Sequence, residues 1–299
     1  MRILITGGRG FLGSRFITAA KRQGFTVASM SRTLVGHLDS NGSDYEICGD
    51  LKNPPYKTIA SFKPDVLVHC AWIATPGVYM KCPTNFDLVD ESVKFVQNLI
   101  NIGVSYFTIT GSCIEYAPSS KPLQETSELS QDKSPYVVSK LELLSRIARI
   151  ARDSSVPYSW CRVFYPYGLG EHPDRLVSVA IKSLCVGREF VVNTPFALRD
   201  YIHVSDVVAG MLDIVSHQRV GVFNLGSGYG VRLIYIVQSV AMQLNVNPNL
   251  IKLIGDGVNI KNDAVVASVR LKSESKWQPL VAMDVGIKEM ISNWSELIE

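Results

Sequence analysis

The first thirteen residues constrain this chain most. Arg2-Ile3-Leu4-Ile5-Thr6 reads as a short buried strand. Gly7-Gly8-Arg9-Gly10-Phe11-Leu12-Gly13 follows at once and opens an apolar-periodic helix over 11–23. The glycines have separate uses. Gly7 permits a sharp turn, Gly10 lets the backbone approach a diphosphate, and Gly13 lets the helix pack close to the sheet. The helix start then offers free N–H groups and partial positive charge to phosphates. A three-glycine loop alone is a weak signal, but between a strand and a helix it points to a dinucleotide-binding α/β fold.

The rest of the first half repeats that rhythm. Apolar runs predict strands at 26–31, 45–49, 65–70, 106–110 and 158–164. Helical patterns at 55–61, 87–101 and 135–152 fall between them. Strands alternating with helices predict a Rossmann-type, doubly wound parallel sheet with helices on both faces and ligands at the carboxyl ends of its strands. Beyond residue 165 the pattern loosens. Helices are expected at 175–186, 204–217, 233–244 and 285–297, and short strands at 190–192, 222–225 and 251–254. The 299 residues, 46% of them hydrophobic, suffice for two cores. We expect a dinucleotide-binding domain from 1–165 plus about 200–222. A smaller C-terminal α/β substrate domain takes 166–199 and 223–299.

Composition excludes several classes. A formal net charge of +3 gives no case for a nucleic-acid surface. The six cysteines form no C-x-x-C pair and several lie in apolar runs such as VLVHCAW, so they read as buried reduced thiols and no metal site is expected. A strand beginning at residue 2 leaves no room for a signal peptide, and no run of about 18 apolar residues exists to span a membrane. The expected location is cytoplasmic.

Two further signals concern the cofactor and the chemistry. Binders of NAD carry an acid after the second strand to grip the ribose 2′-OH; here Ser31-Arg32 stands there. A guanidinium suits a 2′-phosphate, so NADP(H) is expected over NAD(H). Asp50, at the end of the third strand, is a candidate for the adenine amino group, or a plain turn residue. In Ser134-Pro135-Tyr136-Val137-Val138-Ser139-Lys140, a serine that can cap and a proline suited to the first turn start a helix. Tyr136 and Lys140 then share one helical face. An ammonium near a phenol favours phenolate, and such a tyrosine can exchange a proton with a carbonyl or alcohol oxygen while hydride moves to or from nicotinamide. Ser112, at the end of a strand, is placed to hold the same oxygen.

These motifs resemble the glycine loop and Ser-Tyr-Lys triad of the extended short-chain dehydrogenase/reductase family. Three later segments are similar to its nucleotide-sugar branch: Arg162-Val163-Phe164-Tyr165-Pro166-Tyr167-Gly168, Arg199-Asp200-Tyr201-Ile202-His203-Val204-Ser205-Asp206 and Phe223-Asn224-Leu225-Gly226-Ser227-Gly228. The resemblance implies that Tyr136 is the proton donor or acceptor and that Lys140 also holds the nicotinamide ribose. It implies cofactor contacts from Gly7, Gly10, Phe11, Leu12, Gly13, Arg32, Asp50, Leu51, Ala71, Tyr136, Lys140 and Phe164. For a nucleotide-diphosphate sugar it implies Trp72, Thr75, Ser112, Cys113, Tyr165, Arg199 and Arg270, with Arg199 on the diphosphate. Tyr165 stands where the family usually has asparagine. The aromatic segment holding Trp72, Thr75 and Tyr79 either shapes a sugar pocket or packs on its own core.

The triad does not by itself choose a reaction. Dehydratases of the family place an acidic pair after the serine or threonine; here Cys113 and Ile114 follow Ser112, which disfavours dehydration. Ser112-Cys113 is similar to the Ser-Ser-Cys of GDP-fucose synthases. The cysteine falls one position early, however, and the matching histidine position is Arg175, so Cys113 reads as structural. We expect an NADPH-dependent reductase of a nucleotide-linked 4-keto-6-deoxysugar. The competing readings are an NDP-sugar 4-epimerase and a non-catalytic NADP-binding sensor or scaffold. A homodimer through the helix carrying Tyr136 would use Leu141, Leu144, Ile147, Ala148 and Ala151, although burial within one chain would use the same residues.

Overall fold

The structure is a computed structural model that describes residues 1–33, 42–254 and 265–295. It divides into two units. Unit 1 comprises Met1–Glu115, Ser130–Arg162 and Val208–Phe223; unit 2 comprises Tyr116–Leu129, Val163–Val207 and Asn224–Glu299.

Unit 1 begins β1 (Arg2–Thr6), α1 (Phe11–Arg22), β2 (Thr26–Ser31), β3 (Tyr45–Cys48), α2 (Tyr56–Phe62) and β4 (Val66–His69). It continues with α3 (Thr84–Ile102), β5 (Tyr106–Ser112), a 3-10 turn (Cys113–Glu115), α4 (Pro135–Ser154) and β6 (Tyr158–Val163). The expected strands and helices of this half all form, with no end moved by more than three residues. The strands make one seven-stranded parallel sheet, which also takes a strand at Gly221–Leu225 beside β6; the order from that strand is β6-β5-β4-β1-β2-β3. The register runs Thr6 beside Met30 on one side and His69 on the other. Strands so placed are covered on both faces, which is why β4 and most of β5 are continuously buried. The core gathers Leu4, Leu67, Phe95, Phe107, Leu143, Ile147 and Trp160.

Helix α4 starts with Pro135 at its first turn and ends at Ser155 in the left-handed region. Ser134 occupies the N-cap, but its side chain makes no cap bond to the helix. Its backbone N–H is instead donated to Asp132 Oδ1 at 2.6 Å. Ile147 and Ala151 are buried in the core of unit 1. Their burial is the within-chain use that the sequence also allowed, while Leu144 and Ala148 keep partial exposure.

Unit 2 adds β7 (Tyr165–Tyr167), α5 (Leu176–Cys185), β8 (Phe190–Val192), β9 (Leu198–Arg199) and β10 (Tyr201–His203). Helix α6 (Val204–Ser216) continues into unit 1, and β11 is the Gly221–Leu225 strand. β12 (Val231–Arg232), α7 (Leu233–Gln243), β13 (Ile251–Leu253), α8 (Leu271–Glu274) and α9 (Met283–Ser295) complete it. The expected helix end at 296–297 lies outside the described residues. Three small sheets pair β10 with β7, β12 with β9 and β13 with β8. The expected strands at 190–192 and 251–254 form as β8 and β13, whereas nothing in the sequence marked β7, β9, β10 or β12, which are too short for alternation to show. A second core of Ile181, Leu184, Val237, Val240, Ile287 and Met290 lies among α5, α7 and α9.

Among the described residues no helix is long and apolar enough to cross a membrane. No group of three or more His, Cys, Asp or Glu there could hold a metal ion. Cys113 and Cys161 are buried free thiols; Cys48 is exposed, against the expectation of general burial, because it ends β3, an edge strand.

Candidate active site

The glycine loop is closed by a bond from Gly10 N to Gly7 O at 2.9 Å. Gly7 has φ +70°, and a Cβ there would come within 2.8 Å of Ala71 N. A Cβ on Gly13 would overlap the Gly7 carbonyl. Gly10 is the N-cap of α1, no side chain caps that end, and no acid occupies the first turn. The loop is thus a cradle that side chains would fill, under uncapped helix N–H groups, and it fits a diphosphate. Phe11 and Leu12, in that first turn, are half-buried.

Arg32 is exposed immediately after β2. Arg9, which the sequence reading passed over, lies in the loop itself and pairs with Glu46 of β3 at 3.5 Å. Asp50 accepts a bond from Asn53 N at 2.7 Å, the geometry of a turn residue, and Leu51 beside it is buried. Ala71 N donates to Thr6 Oγ1 at 3.3 Å. Thr6 is joined in turn to buried His69, whose other ring nitrogen meets Ser92 Oγ at 3.0 Å. Burial, helped by the nearby Lys140 charge, pushes the His69 imidazole down to about 3, so it stays neutral.

At the end of β5, Ser112 is hydrogen-bonded to the Tyr136 side chain. Burial drives the Tyr136 phenol above its ordinary range, and the Ser112 bond acts the other way. Lys140 does not pull this phenol toward neutrality as expected, for its Nζ lies 6.0 Å from the Tyr136 ring centroid. That ammonium donates to Thr110 O at 2.9 Å and sits 3.8 Å from the Trp72 ring centroid. Burial lowers Lys140 to about 7, opposed by the Glu115 charge. The Tyr79 ring meets Tyr136 edge-on at 4.8 Å, whereas Thr75 is exposed.

Glu115 was missed by sequence reasoning altogether. It is 0% exposed, and Arg162, its ion-pair partner at 2.7 Å, is 2% exposed. The carboxylate also accepts from Ser112 N at 2.7 Å and Trp160 Nε1 at 2.9 Å. It therefore anchors the strand end that carries Ser112. An acid three residues after the serine was visible, but its partners lie 45 and 47 positions away.

In unit 2, Arg199 Cζ lies 5.9 Å from the Tyr165 ring, which stacks on Tyr201 at 5.5 Å. The Tyr165 position thus presents an aromatic face where the family has an amide. Buried Asp200 accepts from Ser227 N, Gly228 N and Ala267 N at 2.7, 2.9 and 3.0 Å. It fixes the Ser227-Gly228 turn beside Arg199 by hydrogen bonds the sequence did not reveal. Phe164 is buried, and its backbone N donates to Leu225 O. Arg270 pairs with Glu274 one turn on, at 3.1 Å.

A glycine cradle on a parallel sheet, with a serine, tyrosine and lysine gathered at the carboxyl end of β5, defines a dinucleotide-dependent enzyme of the short-chain dehydrogenase type. The chain belongs to the NAD dependent epimerase/dehydratase family, whose pattern it matches over residues 3–226. It is 25% identical to a UDP-glucose 4-epimerase of Yersinia enterocolitica over 80% of this chain and 81% of that one. It is 23% identical to a dTDP-4-dehydro-6-deoxyglucose reductase of Escherichia coli over 97% and 96%. The fold is shared with the UDP-glucose 4-epimerase of Thermotoga maritima solved with UDP-glucose, at TM-score 0.84 and 20% identity over the whole of both chains. Family membership makes this chain an enzyme rather than a sensor and implies a nicotinamide dinucleotide as cofactor.

Proposed function

We propose that this enzyme is an NADPH-dependent reductase of a nucleotide-linked 4-keto-6-deoxysugar. The observation that carries the reading is Arg32, exposed directly after β2 where an NAD-selective site needs a carboxylate. Arg9, in the glycine loop, adds a second guanidinium on the loop side of the sheet. In this reading unit 1 is the dinucleotide-binding domain and unit 2 the substrate domain, with Arg199 and Arg270 serving the sugar nucleotide's diphosphate. Thr75 and Cys113 would lie toward the sugar, and Ala71 toward the nicotinamide.

A nicotinamide cofactor held at the glycine loop would supply the hydride for the C4 carbonyl carbon. Tyr136 gives its phenolic proton to the oxygen that becomes the alcohol. The Ser112 hydroxyl holds that oxygen and works against the rise of the phenol's pKa, while Lys140 in its charged form would hold the nicotinamide ribose. One proton and one hydride convert ketone to alcohol, and solvent re-protonates Tyr136. A high phenol pKa suits an acid that must hold its proton until hydride arrives.

Seven of the relatives compared are named as UDP-glucose 4-epimerases, and this favours 4-epimerisation as the second reading. The purified enzyme incubated with NADPH and a panel of UDP-, dTDP-, GDP- and CDP-4-keto-6-deoxysugars separates the two. Stoichiometric NADPH oxidation with one panel member supports the reductase. Interconversion of 4-hydroxy sugar nucleotides without net cofactor consumption overturns it. Tyr136→Phe should lower kcat by about 10²–10⁴ in either case.

A further inference from the structure

We propose that Trp72 and Asn85 are positioning residues for Lys140. The indole face holds the ammonium in its charged form and so sets the upper pH limit of the Tyr136–Lys140 pair. This rests on the reading of Tyr136 and Lys140 as the catalytic pair.

The geometry is that of a cation over an aromatic face. Lys140 Nζ stands 3.8 Å from the Trp72 centroid, well inside the ~6 Å reach of this interaction. The lysine is 3% exposed, and desolvation is the condition under which a ring quadrupole matters most. The ring itself is fixed. Trp72 Nε1 donates to Asn85 Oδ1 at 2.8 Å, and Asn85 Nδ2 donates to Tyr79 O and Cys82 O, each at 2.7 Å. Asn85 is fully buried and its amide can face only one way, because the two backbone acceptors require the nitrogen and the indole N–H requires the oxygen. The same segment reaches the other half of the pair. Tyr136 N donates to Met80 O at 3.2 Å, and the Tyr79 ring meets Tyr136 edge-on.

Other groups face the ammonium as well. Glu115, from the turn after β5, favours its charge, while the Cys70 thiol, just after β4, is held neutral by burial. His69 on β4 feels that charge, the Trp160 ring on β6 lies 5.9 Å away, and Tyr136 shares its helix. Burial works against them all, and Trp72 is the aromatic surface nearest the charge. A tryptophan placed here to stack on a sugar would have no need of a lysine on its face or of a buried asparagine on its edge.

The test is an aromatic series, Trp72→Phe, Trp72→Leu and Asn85→Ala, read in two ways. The first needs no substrate: the Lys140 titration midpoint by NMR on lysine labelled at the ε-carbon, with Lys140→Met to assign the signal. Loss of the ring should lower the midpoint by about one pH unit in Trp72→Leu. Trp72→Phe should recover most of that, and Asn85→Ala should shift it part of the way. The second is the pH profile of kcat, whose alkaline limb should move down by the same amount while the sugar KM stays within about twofold. An unchanged midpoint in Trp72→Leu overturns the proposal whatever the reaction. So does a rise in sugar KM with an unmoved pH limb, which would make Trp72 a sugar platform. A shifted midpoint combined with undiminished turnover in Tyr136→Phe would instead overturn the catalytic reading and leave the ring–ammonium coupling standing.

Discussion

Replacing Glu115 by glutamine exchanges one oxygen for an NH2 group in a place where every partner is a donor. Ser112 N–H, Trp160 Nε1–H and Arg162 Nε–H all point at the carboxylate. Whichever way the amide turns, its NH2 group opposes one of these N–H groups, and the cation of Arg162 loses its carboxylate. Both residues are essentially without solvent exposure, so water cannot substitute. Removing one member of a buried pair costs about 3–5 kcal/mol. With an unfolding entropy of about 2.1 cal/mol/K per residue, the 299 residues unfolding together convert this to a fall in Tm of about 5–8 °C. Scanning calorimetry on wild type and Glu115→Gln measures it. Replacing both partners together, as Glu115→Leu with Arg162→Met, should recover much of the loss, because no charge is then left behind. An unchanged Tm in Glu115→Gln, with the far-ultraviolet dichroism intact, would refute the account of this site.

Gly13→Ala forces a methyl into the Gly7 carbonyl and should cost about 1–3 kcal/mol, with weaker NADPH binding by calorimetric titration; unaltered affinity would count against the cradle. Arg32→Asp should turn preference from NADPH to NADH in a direct binding comparison, and unchanged discrimination would remove the 2′-phosphate assignment. Glu171 is buried, and desolvation raises its carboxyl to about 7 although Ser178 donates to it from both N and Oγ. The folded protein therefore binds more protons than the unfolded chain between about pH 4.5 and 7, and stability falls as pH rises through that window. Glu171→Gln keeps an acceptor for Ser178 but cannot ionise, so its urea midpoint relative to wild type should rise between pH 5 and pH 8. A constant difference would show that Glu171 does not titrate there.

The legible part of this chain is the part encoded locally. Strands β1, β2, β4, β5 and β6 are apolar runs because they are buried in the sheet, and the helices between them declare themselves by period. Tyr136 and Lys140 could be placed on one helical face from their spacing alone. What stayed hidden depends on pairing across long separations. Glu115 meets Arg162, and Trp72 meets Lys140 across 68 positions; neither separation leaves a periodic trace. Trp72 was read toward a sugar or toward its own core; it packs against the core of unit 1 and also presents its ring to Lys140. Two of the three small sheets of unit 2 escaped for the same reason, since a strand such as Leu198–Arg199 exists only through its partner Val231–Arg232.

The seven-stranded sheet takes its last strand from far downstream. β6 ends at Val163, and β11, which covers its outer edge, begins at Gly221. On a ribosome working at roughly 5–20 residues per second, β6 emerges several seconds before its neighbour exists. For that interval Trp160 and Cys161, both fully buried in the finished protein, border an open row of backbone donors and acceptors. The nascent chain therefore passes through a stage with a sticky, apolar strand edge. A ribosome-associated chaperone would have most to protect while residues 164–220 are being made.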